Sequence, residues 1–255
     1  MSLVLEELRK ARGVIIRFTL VLAVFFFGLI TLAPRGFDVG DRHVTVLLPG
    51  TPSLATTLFL SAKESLIPPG VAVVALGPVA PFVAPITMAF LVSLLIALPF
   101  GLYFLTAFLW PALQLRERVL LALILIPSLA LFYAGCALAY FFIIPQTFSI
   151  LYAFAEPVEV MPLFALDDFI SSVFFLTISV GSAFLLPVFM AGASRIGILD
   201  RGFWTHHFRI AIVLMILFSA VVTPDGSGVT MVLLAIPLIM LYILGILISK
   251  RRIAR

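Results

Sequence analysis

Two carboxylates with basic neighbours are the residues here whose chemistry is most specific. Glu117 stands between Arg116 and Arg118 in PALQLRERVLLALILIP (111–127), and Glu7 precedes Arg9 and Lys10 in LEELRKARG. A carboxylate accepts an arginine guanidinium through two parallel hydrogen bonds, a geometry lysine does not copy. Two such groups at one membrane face would suit a cationic, arginine-bearing peptide. The same residues also read as solvated charges with local pairing, worth about a few tenths of a kcal/mol each. Spacing alone leaves both readings open.

The elements that carry these acids follow from composition. The chain has 255 residues, 63% of them hydrophobic and 11% charged, with mean hydropathy +1.27. Soluble domains are roughly a quarter charged, so this is read as an integral membrane protein. The net charge of +4 and pI near 9.6 do not point to nucleic acid, because the basic residues flank apolar spans. A span needs about 20 apolar residues. Six are expected, at roughly 14–33, 82–108, 119–144, 169–191, 203–222 and 231–249. The fifth has only a short apolar core, Ile210 to Val222, and reaches spanning length only if it begins near Phe203 or the bilayer thins. The first lacks a small-residue cleavage pattern and reads as a retained helix.

Charge orients these spans. With cytoplasmic termini, the inside segments hold 13 of the 16 basic residues, and only Arg35, Arg42 and Lys63 fall outside. That bias predicts a cytoplasmic N- and C-terminus. The outside loops are then 34–81, 145–168 and 223–230. The first contains a short strand or extended piece, a short amphipathic helix around Leu54 to Leu66 and a Pro-Pro-Gly stop. Pro99, Pro127, Pro145, Pro187 and Pro237 lie within or at the ends of spans, where proline kinks a helix. The expected fold is one all-α membrane domain, residues 1–255: six kinked helices in a concave arrangement, two short final helices and extracytoplasmic caps.

Other chemistries find no support. Away from their cytoplasmic edges the spans hold no Asp, Glu, Lys, Arg or His, and ion or proton relays normally need such groups. Ser227 in GSG invites a nucleophile reading, but a nucleophile needs a base within hydrogen-bond reach. His206 and His207 fall on the opposite side, and His43 lies in an extended loop, so Ser227 reads as a turn. Adjacent histidines point about 100° apart on a helix, whereas ligand pairs prefer i, i+4 spacing. Cys136 is alone in an apolar run and reads as a small buried hydrophobe. No catalytic residue, metal site or cofactor is expected.

Taken in order, the motifs resemble the C subunit of the twin-arginine protein translocase, the TatC family. They are LEELRK (5–10), PFVAPI (81–86), Pro99 and Tyr103 in PFGLY, and Phe108, Pro111, Ala112, Leu113 and Glu117 in AFLWPALQLRE. FYAGCALAYFFIIP (132–145), FLLPVFMAGASRIGI (184–198), AVVTP (220–224) and LLAIPLIMLY (233–242) complete the series. The resemblance implies a receptor in the cell inner membrane that binds the signal peptides of folded precursor proteins through their paired arginines, without catalysis. It implies that Glu7 and Glu117 receive those arginines, with Arg9, Phe108 and Pro111 at the same site. Thr223, Met231 and Pro187 would contact partner helices. The implied partners are single-span TatA/TatB-type subunits, further copies of the chain within a larger complex, and the lipid bilayer.

Several positions depart from the family pattern. Leu185 and Ile243 stand where the family often carries polar or acidic residues, Thr87 where it has lysine, and Met231 where it has glutamine. Thr106 occupies the place of a tryptophan, with Trp110 nearby, and Asp225 is a shifted acid. The arginine-reading residues are retained, whereas the outer ends of the last helices are largely apolar. A divergent receptor and a paralogue that has lost part of the task both fit. Two alternatives are a facilitative transporter acting without partners and a scaffold that gathers single-span helices without reading a signal.

Overall fold

The computed structural model describes residues 2–39, 42–68, 70–110, 115–155, 163–223 and 228–249. Helix α1 (Ser2–Thr31) begins in good helix formers and continues without a break into an apolar stretch. The chain then enters a hairpin of β1 (Leu32–Val39) and β2 (Arg42–Pro49), paired antiparallel from Leu32↔Pro49 to Val39↔Arg42. The strand expected here is one of a pair, and the first span, expected to run to Ala33, stops as a helix at Thr31, with Leu32 and Ala33 already in β1. The Gly50 N–H donates to the Thr31 carbonyl at 3.2 Å and closes the hairpin's base. Helix α2 (Leu54–Leu66) has the expected bounds, and Ser53 Oγ accepts from the Thr56 N–H at 3.3 Å as its N-cap.

The remaining elements are β3 (Ala72–Val74), α3 (Ala80–Leu109), α4 (Leu115–Leu138), a π-helical turn (Ala139–Ile143), α5 (Ile144–Ala155) and β4 (Leu163–Ala165). These are followed by α6 (Leu166–Ala183), α7 (Leu186–Ile196), α8 (Arg201–His206), α9 (Phe208–Val222) and α10 (Val229–Ile248). Among the described residues, five helical segments are long and apolar enough to cross a membrane: Arg9–Thr31, Ala80–Phe108, Leu123–Leu151, Leu166–Arg195 and Val229–Ile248.

The prolines act locally, as their chemistry requires. Pro145 has no N–H to give and its ring crowds the preceding turn. The turn before it widens accordingly, with the Ile144 N–H donating to the Ala139 carbonyl five residues back. The helix continues beyond it, so this segment runs well past Ile144, where the third span was expected to end. Pro187 sits at the start of α7, just after α6 breaks at Phe184 and Leu185.

The expected fifth span, 203–222, is divided. Asp200 Oδ1 accepts from the Phe203 N–H at 2.9 Å and caps α8. His207 then leaves helical geometry (φ −91°, ψ 14°) before α9 starts. At 15 residues, α9 is roughly 22 Å long, short of the ~30 Å hydrocarbon core.

The chain forms two compact units. The first is Met1–Ser65, Val74–Leu121 and Ala165–Ile170. In it α1 packs along α3: Phe25 meets Phe100 with ring centroids 6.0 Å apart, and Phe26 meets Phe90 at 6.3 Å. On its other faces α1 shows Ile15, Leu20, Val24 and Phe27, side chains that hydrocarbon solvates and water does not. Phe59 of α2 packs edge-on against Phe169, both buried.

The second unit is Leu66–Val73, Ala122–Phe164 and Ser171–Arg255. Its core includes Phe132, Ile143, Val173, Leu176, Met190 and Leu234. Small residues let its helices approach closely. A Cβ on Gly135 of α4 would fall 3.0 Å from the Gly181 Cα of α6. Thr147, Thr177, Ser219, Thr223 and Ser249, all buried, each donate to the carbonyl four residues back in the same helix, at 2.7–3.0 Å.

Candidate functional site

The first unit contains a cavity of about 380 Å³ where the start of α1 meets the end of α3. Arg9, Lys10, Gly13, Val14 and Arg17 line it from α1, and Phe104, Ala107 and Phe108 from α3. Arg9 and Phe108, far apart in sequence, are thus brought together. Both helices are suited to this end. The LEELRKA stretch is built of strong helix formers. In the last turn of α3 the Thr106 hydroxyl donates to the Tyr103 carbonyl at 2.8 Å, and the Trp110 N–H donates to the Thr106 carbonyl.

The two acids lie on the helices that border this region. Glu7 is in α1, two residues before the cavity-lining Arg9. Glu117 is in the first turn of α4, where the helix's partial positive charge favours a carboxylate. That turn is tied to the end of α3: the Arg118 guanidinium lies over the Trp110 ring, 5.3 Å from its centroid. The side chains of Glu7 and Glu117 lie outside what the structure describes, and so does Pro111.

The three residues expected at a partner face are not in one place. Thr223 caps the end of α9 and is buried, its hydroxyl on the Ser219 carbonyl at 3.0 Å. Met231, in the first turn of α10, is half-buried. These two flank the α9–α10 turn, whose residues 224–227, including Ser227, lie outside the described residues. Pro187 is elsewhere. It is fully buried, and its Cα lies 3.3 Å from where a Cβ on Gly245 would stand. Gly245 is about 21 Å along α10 from Met231, so Pro187 shapes a helix crossing and offers no exposed surface.

Sequence reasoning missed an aromatic cluster in the second unit. Trp204 Nε1 donates to Ser194 Oγ at 3.3 Å, and the Tyr242 hydroxyl donates to the Trp204 carbonyl at 2.9 Å. Trp204 thereby ties α8 to α7 and α10. It borders an apolar cavity of about 470 Å³ with Phe203, Leu214, Met215 and Phe218. Its signal was available: Asp200 three residues before Phe203 is N-cap spacing, and it announces a separate short helix. His206 and His207 are adjacent there, and His207 Nδ1 lies 2.9 Å from the Phe203 carbonyl. Cys136 is buried, its thiol on the Thr177 carbonyl at 3.6 Å.

Comparisons with known proteins agree on one family. The model for "Sec-independent protein translocase protein (TatC)" matches residues 4–237. A protein of that name from Cenarchaeum symbiosum is 35% identical over 190 residues, covering 74% of this chain and 72% of its own. One from Halothiobacillus neapolitanus is 32% identical over 194 residues, and the chain spans only 52% of its length. One from Aquifex aeolicus is 30% identical over 199 residues, 82% of its length. Two crystal structures of the twin arginine translocase receptor TatC, one in DDM, superpose with TM-scores of 0.71 and 0.73 at 26% identity. Each covers 96% of this chain and at least 96% of the solved one.

Proposed function

Because the chain belongs to the TatC family of Sec-independent protein translocase proteins, and is accordingly a multi-pass membrane protein, we propose that it is the signal-reading subunit of a twin-arginine translocase. It receives the paired arginines of a signal peptide on Glu7 and Glu117, and folded precursors are exported from that bound state. Each guanidinium takes a bidentate carboxylate contact, and charge-assisted hydrogen bonds contribute roughly 1.5–3 kcal/mol each. Phe108 offers apolar surface to the peptide beyond the arginines, and Arg9 lines the same cavity.

One observation carries this reading. Arg118 stacks on Trp110, so the turn bearing Glu117 is anchored to the end of α3. Phe108, at that end, already shares a cavity with Arg9 of α1. The two acid-bearing helix ends therefore border one region of one compact unit.

The wider reading follows from it. We take the chain as a single domain of six spans with α9 as a short fifth, over which the bilayer thins. It lies in the cytoplasmic membrane with both termini inside, as the distribution of basic residues favours. Single-span TatA/TatB-type subunits dock near the end of α9 and the start of α10, with Met231 partly accessible, and further copies of the chain join the same complex.

Export provides the test. In membrane vesicles supplied with the single-span subunits, the chain moves a folded reporter behind an Arg-Arg signal and not behind Lys-Lys. Equal transport of both reporters, or uptake of small solutes by the chain alone, would sink the reading in favour of the scaffold or the transporter.

A further inference from the structure

We propose that the apolar cavity bordered by α8, α9 and α10 is a binding site for a neutral membrane amphiphile with a hydroxylated aromatic head and one hydrocarbon tail, the chemistry of a prenylated hydroquinone. The cavity lies within the second unit, so this inference does not depend on the signal-reading site in the first.

The cavity has a direction. Along α9 its lining runs through His207, Ile210, Ala211, Leu214, Met215 and Phe218, one stripe at helical spacing. That stripe is about 16 Å long. Phe203, Trp204 and His207 line one end with rings, and beyond them α9 contributes apolar side chains without a ring until Phe218. Spread along the stripe, the volume of about 470 Å³ makes a groove about 6 Å across. A helix with its side chains is about 10–12 Å across, so a partner helix does not enter. Nor do the paired chains of a phospholipid. The groove has the width of one flat ring or one chain, and its volume lies within the roughly 300–1,000 Å³ of small-molecule sites. Ile210, Leu214 and Phe218 are also exposed, so the groove opens on a surface that hydrocarbon solvates, and a membrane-soluble ligand reaches it from the bilayer.

The polar groups favour the same end. Tyr242 and Trp204 both line the cavity, but the Tyr242 hydroxyl is engaged by the Trp204 carbonyl and Trp204 Nε1 by Ser194 Oγ. His207 differs. Its Nδ1 lies 2.9 Å from the Phe203 carbonyl. A carbonyl oxygen only accepts, so Nδ1 carries the proton, and in the neutral ring Nε2 is left as an acceptor. The same ring packs on Phe203 with centroids 4.3 Å apart, which holds that acceptor at the ring-lined end. An aromatic head packs well against such faces and edges, and its O–H supplies the donor that Nε2 lacks. Among the described residues that line the cavity none carries a fixed charge, which suits a neutral ligand.

The experiment is native mass spectrometry of the whole chain in mild detergent. A prenylated hydroquinone is the probe. Its dimethyl ether keeps the ring and tail without the O–H groups, and phosphatidylcholine is the competitor with chains and no ring. The wild-type chain retains the hydroquinone about tenfold over the ether, and excess phosphatidylcholine leaves it in place. His207→Phe keeps a ring and removes the acceptor, so retention of the hydroquinone falls about tenfold, to the level of the ether. Ala211→Leu adds bulk midway along the groove and lowers retention of both compounds. Equal retention of hydroquinone and ether by the wild-type chain would overturn the proposal, and that comparison needs no variant. So would displacement by phosphatidylcholine, which would make the cavity a general lipid crevice, or retention unaltered in either variant.

Discussion

The Arg118 guanidinium lies over the Trp110 ring, 5.3 Å from its centroid, and joins the first turn of α4 to the end of α3. Cation–π contacts are worth about 0.5–2 kcal/mol depending on desolvation. Trp110→Ala removes this one and loosens the turn that carries Glu117. The expected result is a several-fold loss of affinity for an Arg-Arg signal peptide, measured by fluorescence binding in nanodiscs. Trp110→Phe keeps a ring and most of the affinity. Equal binding by all three proteins would remove the anchoring role.

The α4–α6 crossing makes a separate prediction about stability. A Cβ on Gly181 would stand 2.5 Å from Cys136 Sγ and 3.1 Å from Phe132. Overpacking of this kind costs about 1–3 kcal/mol, so Gly181→Ala lowers the melting temperature in detergent. Adding Cys136→Ala removes the sulfur and recovers a substantial part of the loss. The two effects are coupled and not additive, as expected for residues in contact.

Tyr242 offers a third. Its hydroxyl donates to the Trp204 carbonyl at 2.9 Å, and both residues belong to the second unit. Tyr242→Phe deletes that bond at a cost of about 1 kcal/mol. Melting followed by tryptophan fluorescence shifts downward, while Arg-Arg peptide binding in the first unit is unchanged. A peptide-binding defect in Tyr242→Phe would contradict the assignment of signal reading to the first unit.

Much of this was legible in the sequence, for reasons that can be named. The apolar runs are long, and hydropathy locates them because a bilayer demands internal hydrogen bonding and an apolar surface. Helix α2 is legible because the Pro-Pro-Gly stop after it ends the pattern. Hydropathy cannot tell a helix from a strand in a short apolar piece, so Leu32 and Ala33 read as the end of a span when they begin a hairpin. Nor can it see a helix break. Asp200 caps α8 and His207 interrupts the run to α9, so the span expected at 203–222 is two helices. At the candidate site, the union of Arg9 with Phe108 was reached through the family resemblance and not from spacing, because tertiary packing between α1 and α3 creates it. Pro187 was grouped with Thr223 and Met231 on the same ground, and packing separates them.

The central claim is that Glu7 and Glu117 receive the two arginines of a signal peptide. Site-specific photocrosslinking in membranes tests it most directly, with a signal peptide bearing the probe beside Arg-Arg and a Lys-Lys peptide as control. The account predicts crosslinks to the start of α1 and the first turn of α4 that require Arg-Arg and are lost in Glu7→Gln and in Glu117→Gln. Crosslinks of equal yield with Lys-Lys, or undiminished in both glutamine variants, would contradict it.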